Sequence, residues 1–150
     1  MANRDDAAAI NRLRYEYAFG IDTRDYVLYR SVFTDDITTD FSSYSGEPQS
    51  MLSADEWVAK CVRLFDGLDA TQHSMTNPLV DIDPSGDTAT QRMTMQAAHF
   101  LDGVEFTIGG WYEDKLVRTS SGWKMQAVTL NVNWRRGDES IMARAVARTE

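Results

Sequence analysis

The run TATQRMTMQAAHFLDGVEFTIGGWYEDKLVRTSSGWKMQAVTLNVNW, Thr88–Trp134, decides the fold. Apolar and polar residues alternate along it with a period of two, the mark of strands that bury one face. Asp102-Gly103 interrupts it and suits a tight hairpin, because both central residues of that turn need positive φ. Ser121-Gly122 makes a second turn. Three long antiparallel strands follow: Thr88–Leu101, Glu105–Arg118 and Trp123–Trp134. In the first, Ala89, Met93, Met95, Ala97 and His99 share one face, against Thr90, Arg92, Thr94 and Gln96. In the second, Phe106, Ile108, Gly110 and Tyr112 oppose Glu105, Thr107, Glu113 and Lys115. In the third the apolar phase slips, from Trp123, Met125 and Ala127 to Val128, Leu130, Val132 and Trp134. One inserted residue near Gln126–Val128 would account for the slip and bend the sheet. Gly109-Gly110 inside a strand marks a bend or a close approach.

Upstream the period changes. Ile10, Leu13 and Tyr17 have helical spacing, so a helix is expected from Asp5 or Asp6 to Phe19, stopping at Gly20. A second helix is expected over Tyr26–Phe33, with Val27, Leu28 and Val32 inward. Ile37–Phe41 reads as a strand and SSYSGEPQS, 42–50, as a loop. Ser53 and Glu56 have capping-box spacing, and Trp57, Cys61, Leu64 and Phe65 form the apolar stripe of a helix ending at Gly67. Thr71–Thr76 and Leu79–Ile82 read as strands separated by Asn77-Pro78, and Pro84–Asp87 as a turn. Asp138–Arg148 reads as a short helix, either a lid over a pocket mouth or a packed tail. Helices followed by an antiparallel meander make an α+β fold with helices on one face of a curved sheet.

Composition narrows the function. The 150 residues have the size of one domain, and no linker or repeat divides 1–150. A net charge of −8 disfavours nucleic acid and anionic membranes as partners. No stretch approaches the roughly 18–20 apolar residues of a membrane span, and the N-terminus lacks the apolar core of a secretory signal, so a cytoplasmic location is expected. One cysteine cannot form an internal disulfide, and with two histidines it cannot build a four-ligand structural zinc site. No Gly-rich phosphate loop and no GxSxG nucleophile setting is present, and a two-histidine, one-carboxylate iron site lacks its usual His-x-Asp/Glu pair. No metal or cofactor is expected.

The chemistry then falls on the histidines. His73 is in line with Met75, and His99 with Met93, Met95 and Ala97, so both imidazoles face inward. Such a group is a candidate general base, or a core histidine bonded to a backbone carbonyl. A base needs an orienting partner, and Asp22, beside Phe19 and Ile21, is a candidate; its local alternative is a cap or turn residue.

YEYAFGID (Tyr15–Asp22), DATQHSMTN (Asp69–Asn77) and GGWYEDKLVRTSSGWKM (Gly109–Met125), with Trp134, resemble the SnoaL-like branch of the nuclear transport factor 2-like superfamily. The resemblance is to the group holding scytalone dehydratase, bile acid 7α-dehydratase and hexachlorocyclohexane dehydrochlorinase. It implies a cone-shaped, curved mixed sheet wrapped by N-terminal helices around a pocket. It also implies cofactor-free elimination, with Asp22 and His73 matching an aspartate–histidine pair, His99 matching a second polar position and Tyr17 an aromatic one. Ile21, Phe41 and Ile108 stand where scytalone dehydratase carries two tyrosines and an asparagine, so a more apolar pocket is implied. The expected pocket residues are Tyr17, His99, Phe41, Trp57, Met75, Met95, Leu130 and Val132. The expected activity is that of a lyase or isomerase on a small apolar, cyclic, oxygenated substrate, with aldol ring closure or a non-catalytic auxiliary subunit as alternatives. A homodimer or homotrimer is expected, with Trp111 beside Thr107 and Arg92 on the contact surface.

Overall fold

The computed structural model describes residues 4–150. Helices α1 (Arg4–Asp22) and α2 (Tyr26–Ser31) lead into β1 (Phe33–Asp40), a one-turn helix α3 (Ser42–Ser45), β2 (Ser50–Ser53) and α4 (Ala54–Gly67). The strands β3 (Ala70–Ile82), β4 (Thr88–Leu101), β5 (Val104–Thr119) and β6 (Gly122–Gly137) follow, and α5 (Ser140–Arg148) ends the chain. One curved, open, six-stranded sheet has the order β2-β1-β6-β5-β4-β3. Only β1 and β6 run parallel, so the sheet is mixed. The helices pack over one face of it, which is the α+β arrangement expected.

Bulges give the sheet its bend. In the β5–β6 ladder, Lys115 pairs with Ala127 and Leu116 with Met125, leaving Gln126 as the extra residue the phase slip required. A second extra residue was not foreseen. Gly109 pairs with Trp134 and Gly110 with Val132, so Asn133 is skipped. That bulge puts Trp134 back on the outer face, not in line with Val128, Leu130 and Val132. Its indole lies where a Gly109 Cβ would be, at 2.1 Å, while a Gly110 Cβ would meet the Asn131 carbonyl at 1.9 Å. The paired glycines therefore mark close approach. β3 runs unbroken through Asn77-Pro78, because a bulge between Thr76 and Leu79 and a positive φ of 55° at Asn77 absorb the interruption. Asp102 and Gly103 have φ of 53° and 77°, as their hairpin turn demands.

Several helical boundaries differ from the sequence reading. α1 passes through Gly20 and ends at Asp22, so Asp22 lies in its last turn and not beyond it. Gly20 is required by packing: a Cβ there would sit 2.8 Å from the Tyr29 nitrogen of α2. Asp5 and Asp6 lie in the first turn, where acidic residues suit the helix dipole. Val27 is exposed and the fully buried residue of α2 is Tyr29. The stretch 42–50, read as a loop, holds α3 and the first residue of β2. α4 begins as expected, with the Ser53 hydroxyl accepting from the Glu56 N–H and Glu56 accepting in return from the Ser53 N–H at 2.9 Å. Among the described residues, no helix is long and apolar enough to cross a membrane.

The core lies between α1 and the inner face of the sheet. Ile10, Leu13, Tyr17 and Ile21 share one cluster there with Phe106, Tyr112, Leu116 and Met125. Within it is a charged pair that periodicity did not single out. Arg14 and Asp114 are both fully buried, and the guanidinium forks onto the carboxylate, with Nε donating to Oδ2 at 3.0 Å and Nη2 to Oδ1. Arg14 also lies over the Tyr112 and Tyr17 rings, 3.8 and 4.2 Å from their centroids. Burial opposes its charge, but Asp114 and the two tyrosines outweigh that effect and raise its pKa.

Removing one member of a fully buried pair strands the other charge, which typically costs about 3–5 kcal/mol. Asp114→Ala is therefore expected to lower stability to that extent in chemical denaturation. Arg14→Met with Asp114→Leu is expected to cost much less than the sum of the two single changes.

Candidate active site

Helix α1 and strand β3 bring Asp22 and His73 together. Asp22 Oδ1 is 2.8 Å from His73 Nδ1, and Oδ2 accepts the His73 backbone N–H at 2.7 Å. A second contact comes from Thr71, two residues earlier on the same strand face, whose hydroxyl donates to Oδ1 at 2.9 Å. Thr71 in turn accepts from Arg24 Nη1 at 3.0 Å. Arg24 has a positive φ of 59° just past the end of α1, and Nη1 also donates to the Ile21 carbonyl at 2.7 Å. Burial alone would favour the neutral acid of Asp22. The hydrogen bonds from His73 and Thr71 outweigh it and hold the carboxyl below its usual range. An ionised Asp22 can only accept, so Nδ1 of His73 is the donor in this contact, and in the neutral ring the lone pair is on Nε2.

His99 lies beside this pair, its ring centroid 5.8 Å from that of His73 at an interplanar angle of 84°. It stacks on Phe106, and its Nδ1 is 3.1 Å from the Phe106 carbonyl. A carbonyl only accepts, so this Nδ1 is also protonated. Burial, reinforced by His73, pushes the His99 pKa down to about 4, and the Phe106 contact offsets only part of that shift.

Both histidines face a cavity of about 560 Å³ between the sheet and helices α4 and α5. Of the expected pocket residues, Tyr17, Phe41, Trp57, Met95, His73, His99 and Leu130 line it. Met75 and Val132 are half-buried and packed against the core, but they are not on the cavity wall. Ile108, a pocket position by resemblance, also lines it. Leu64, Phe65, Ala97, Tyr112, Met142 and Val146 are further wall residues, of which Ala97 and Tyr112 were on the inner face by alternation, and Glu47, Lys60, Arg63 and Glu150 add charged groups to the lining. Met142 and Val146 come from α5, whose Ile141 and Ala145 are fully buried. That helix is a fixed wall: Gly67 of α4 lies so close that a Cβ would reach the Ala145 carbonyl at 1.8 Å, and Arg144 pairs with Asp102 at 2.6 Å.

Opposite the histidines is a hydroxyl cluster. The Trp57 indole donates to the Tyr29 hydroxyl at 2.9 Å, and that hydroxyl reaches Cys61 Sγ at 3.5 Å. Tyr17 packs edge-on against both Tyr29 and Tyr112, with ring centroids 4.9 and 5.8 Å away. Burial pushes the Cys61 thiol up to about 12, so it is no nucleophile at neutral pH. Among the described residues, no cluster of His, Cys, Asp and Glu is placed to hold a metal ion.

A family model for the SnoaL-like domain matches residues 2–129. The chain belongs to the SnoaL-like family. A protein of Kribbella flavida is 30% identical, with a TM-score of 0.83 over 96% of this chain and 97% of that one. A candidate aromatic ring hydroxylase of Novosphingobium aromaticivorans is 26% identical, with a TM-score of 0.83 over 95% and 99%. A hexachlorocyclohexane dehydrochlorinase of Novosphingobium barchaimii is 19% identical, with a TM-score of 0.71 over 88% and 89%, a likeness of fold.

The His99 environment sets a pH dependence. The unfolded imidazole titrates near 6.5 and the folded one near 4. Above about pH 6.5 both states are neutral and the group contributes nothing. Between those values the unfolded state binds the extra proton, so stability falls with pH, by on the order of 3 kcal/mol at pH 4. His99→Gln is expected to flatten the stability profile between pH 6.5 and pH 4, measured by urea unfolding at a series of pH values.

Proposed function

We propose that this SnoaL-like chain, acting as one domain over residues 1–150, is a cofactor-independent lyase or isomerase. Its substrate would be small, apolar, cyclic and oxygenated. The observation that carries the reading is the 2.8 Å contact between Asp22 and His73 Nδ1, with Nε2 left free at the wall of a mostly apolar cavity. In this reading Nε2 removes a proton from a substrate carbon next to an electron-withdrawing group. Asp22 keeps the ring in the required tautomer and stabilises the imidazolium that forms. A leaving group then departs from the neighbouring carbon, a hydroxyl taking the abstracted proton from the His73 imidazolium to leave as water and restore the neutral base, or the proton returns elsewhere on the substrate to complete an isomerisation. Tyr17 and Tyr112 offer hydroxyls to a substrate oxygen across the cavity. The mostly apolar walls strengthen the Asp22–His73 bond relative to water. The dehydrochlorinase neighbour, an elimination enzyme by name, agrees with this chemistry at the level of fold.

A second reading has its own support. The candidate ring hydroxylase is nearer in sequence than the dehydrochlorinase, 26% against 19% identical, and its name is not that of an elimination enzyme; an auxiliary, non-catalytic subunit of the same fold is the alternative. The same residues would also suit aldol ring closure.

Elimination from cyclic β-hydroxy ketones, followed by the absorbance of the enone product, separates the catalytic reading from the auxiliary one. His73→Ala is expected to abolish turnover while leaving the circular dichroism spectrum and melting curve close to wild type. Asp22→Asn is expected to cost roughly 10²–10⁴ in kcat. Retained turnover in His73→Ala overturns the proposal. We also propose a homodimer or homotrimer joined through the outer sheet face, where Trp134 covers Gly109 near Trp111. Sedimentation at micromolar concentration is expected to give a multiple of the 17.0 kDa chain mass, and a clean monomer contradicts it.

A further inference from the structure

We infer that His99 is a fixed hydrogen-bond acceptor, and that the cavity therefore takes a substrate presenting a hydroxyl or amine donor to its Nε2. The inference rests on the cavity being the substrate site, and it adds a requirement that the pairing of Asp22 with His73 does not impose.

The ring of His99 has two nitrogens, and Nδ1 is 3.1 Å from the Phe106 carbonyl. A carbonyl oxygen accepts and never donates, so the proton of the neutral ring is on Nδ1. The nitrogen left for a ligand is Nε2, which then carries only a lone pair. Register holds this arrangement: His99 and Phe106 are directly opposite in the β4–β5 ladder, and the Phe106 ring stacks on the imidazole. Rotation of the ring would break the carbonyl contact.

Conversion of Nε2 into a donor requires a second proton, hence a cation. The surroundings oppose one. His99 is only 4% exposed, and its flanking groups are Phe106 and the His73 ring. The nearest carboxylate, Asp22, is already occupied by His73 and Thr71. The same burial keeps the imidazole neutral until the pH falls to about 4.

Both rings line the same cavity with their centroids 5.8 Å apart, so each, when neutral, brings one Nε2 lone pair to it. In the proposed reaction His73 spends its lone pair on a proton from carbon. His99 needs a donor that stays in place. A ligand lacking one leaves a buried acceptor without a partner, which weakens binding by about 10- to 100-fold. His99 is therefore a specificity-determining residue: it selects a hydroxyl-bearing substrate over its ether or ketone analogue. It cannot be the acid that protonates a leaving group at neutral pH, because it has no proton to give on the cavity side.

Two measurements test this, and neither reads turnover. Long-range ¹H–¹⁵N spectra of the wild-type protein at pH 7 are expected to show His99 protonated on Nδ1 and bare on Nε2. Detection of a proton on Nε2 overturns the inference without any variant. Binding of 2-naphthol and 2-methoxynaphthalene is then compared by calorimetry. Wild type is expected to favour the naphthol by about 10- to 100-fold. His99→Leu is expected to lose that preference, and His73→Leu to keep it. A preference that survives in His99→Leu overturns the inference. Because His73→Ala turnover decides the elimination reading separately, failure of one proposal is distinguishable from failure of the other.

Discussion

Asp22 reaches His73 because helix α1 crosses the sheet in one register, and the Arg14–Asp114 pair fixes that register. Two buried charges tolerate no slip, since any displacement would leave both without partners in a dry interior. Arg14 and Asp22 are eight residues apart in the sequence, about 12 Å along a helix axis. Movement by one helical turn, about 5.4 Å, would carry Asp22 past His73 altogether. The other contacts along α1 act in the same sense. Asp6 pairs with Arg118 at 2.9 Å near one end, Asn11 accepts from Gln91 at 2.7 Å, and Asp22 closes the other end. The buried ion pair adds less by net attraction than by excluding every alignment but one.

The sheet needs a matching bend. A flat β5–β6 pair would not enclose a cavity beneath α4 and α5. Each bulge increases local twist and shifts the phase of the side chains after it. Gln126 turns Val128 and Leu130 inward, where Leu130 becomes wall. Asn133 turns Trp134 outward again, at the point where the strand leaves the cavity. Gly109 and Gly110 make room for this second change, since any side chain there would collide with the Trp134 indole or the Asn131 carbonyl.

The features legible in the sequence were those generated by local periodicity. The β4–β5 hairpin, the capping box at Ser53, the α4 stripe and the bulge at Gln126 all follow from spacing within one or two elements. The features missed arise between elements. Gly20 resembles a helix stop because glycine often is one; it serves instead as the space through which α2 passes. Val27 has the character of a core residue, yet α2 is too short to bury two faces and turns Tyr29 inward. Arg14 falls on the apolar stripe of α1, but a charged residue there has no meaning until Asp114 is opposite it. At the candidate site, the resemblance pointed to Asp22 and His73 and the strand alternation turned His73 and His99 inward. Thr71 and Arg24 were invisible, because their connection to Asp22 exists only once α1 and β3 are adjacent.

The two histidines also show why residue type alone does not assign chemistry. Each is on an inward strand face, each protonates Nδ1, and each leaves Nε2 toward the same cavity. Their partners differ. A carboxylate behind His73 supplies a counter-charge for the imidazolium that proton abstraction would create. A backbone carbonyl behind His99 supplies a dipole, which orients the ring but compensates a full charge poorly. Proximity sharpens the difference, because a proton on either ring raises the cost of a proton on the other. Environment thus separates two identical side chains into one that can accept a proton from substrate and one restricted to accepting a hydrogen bond.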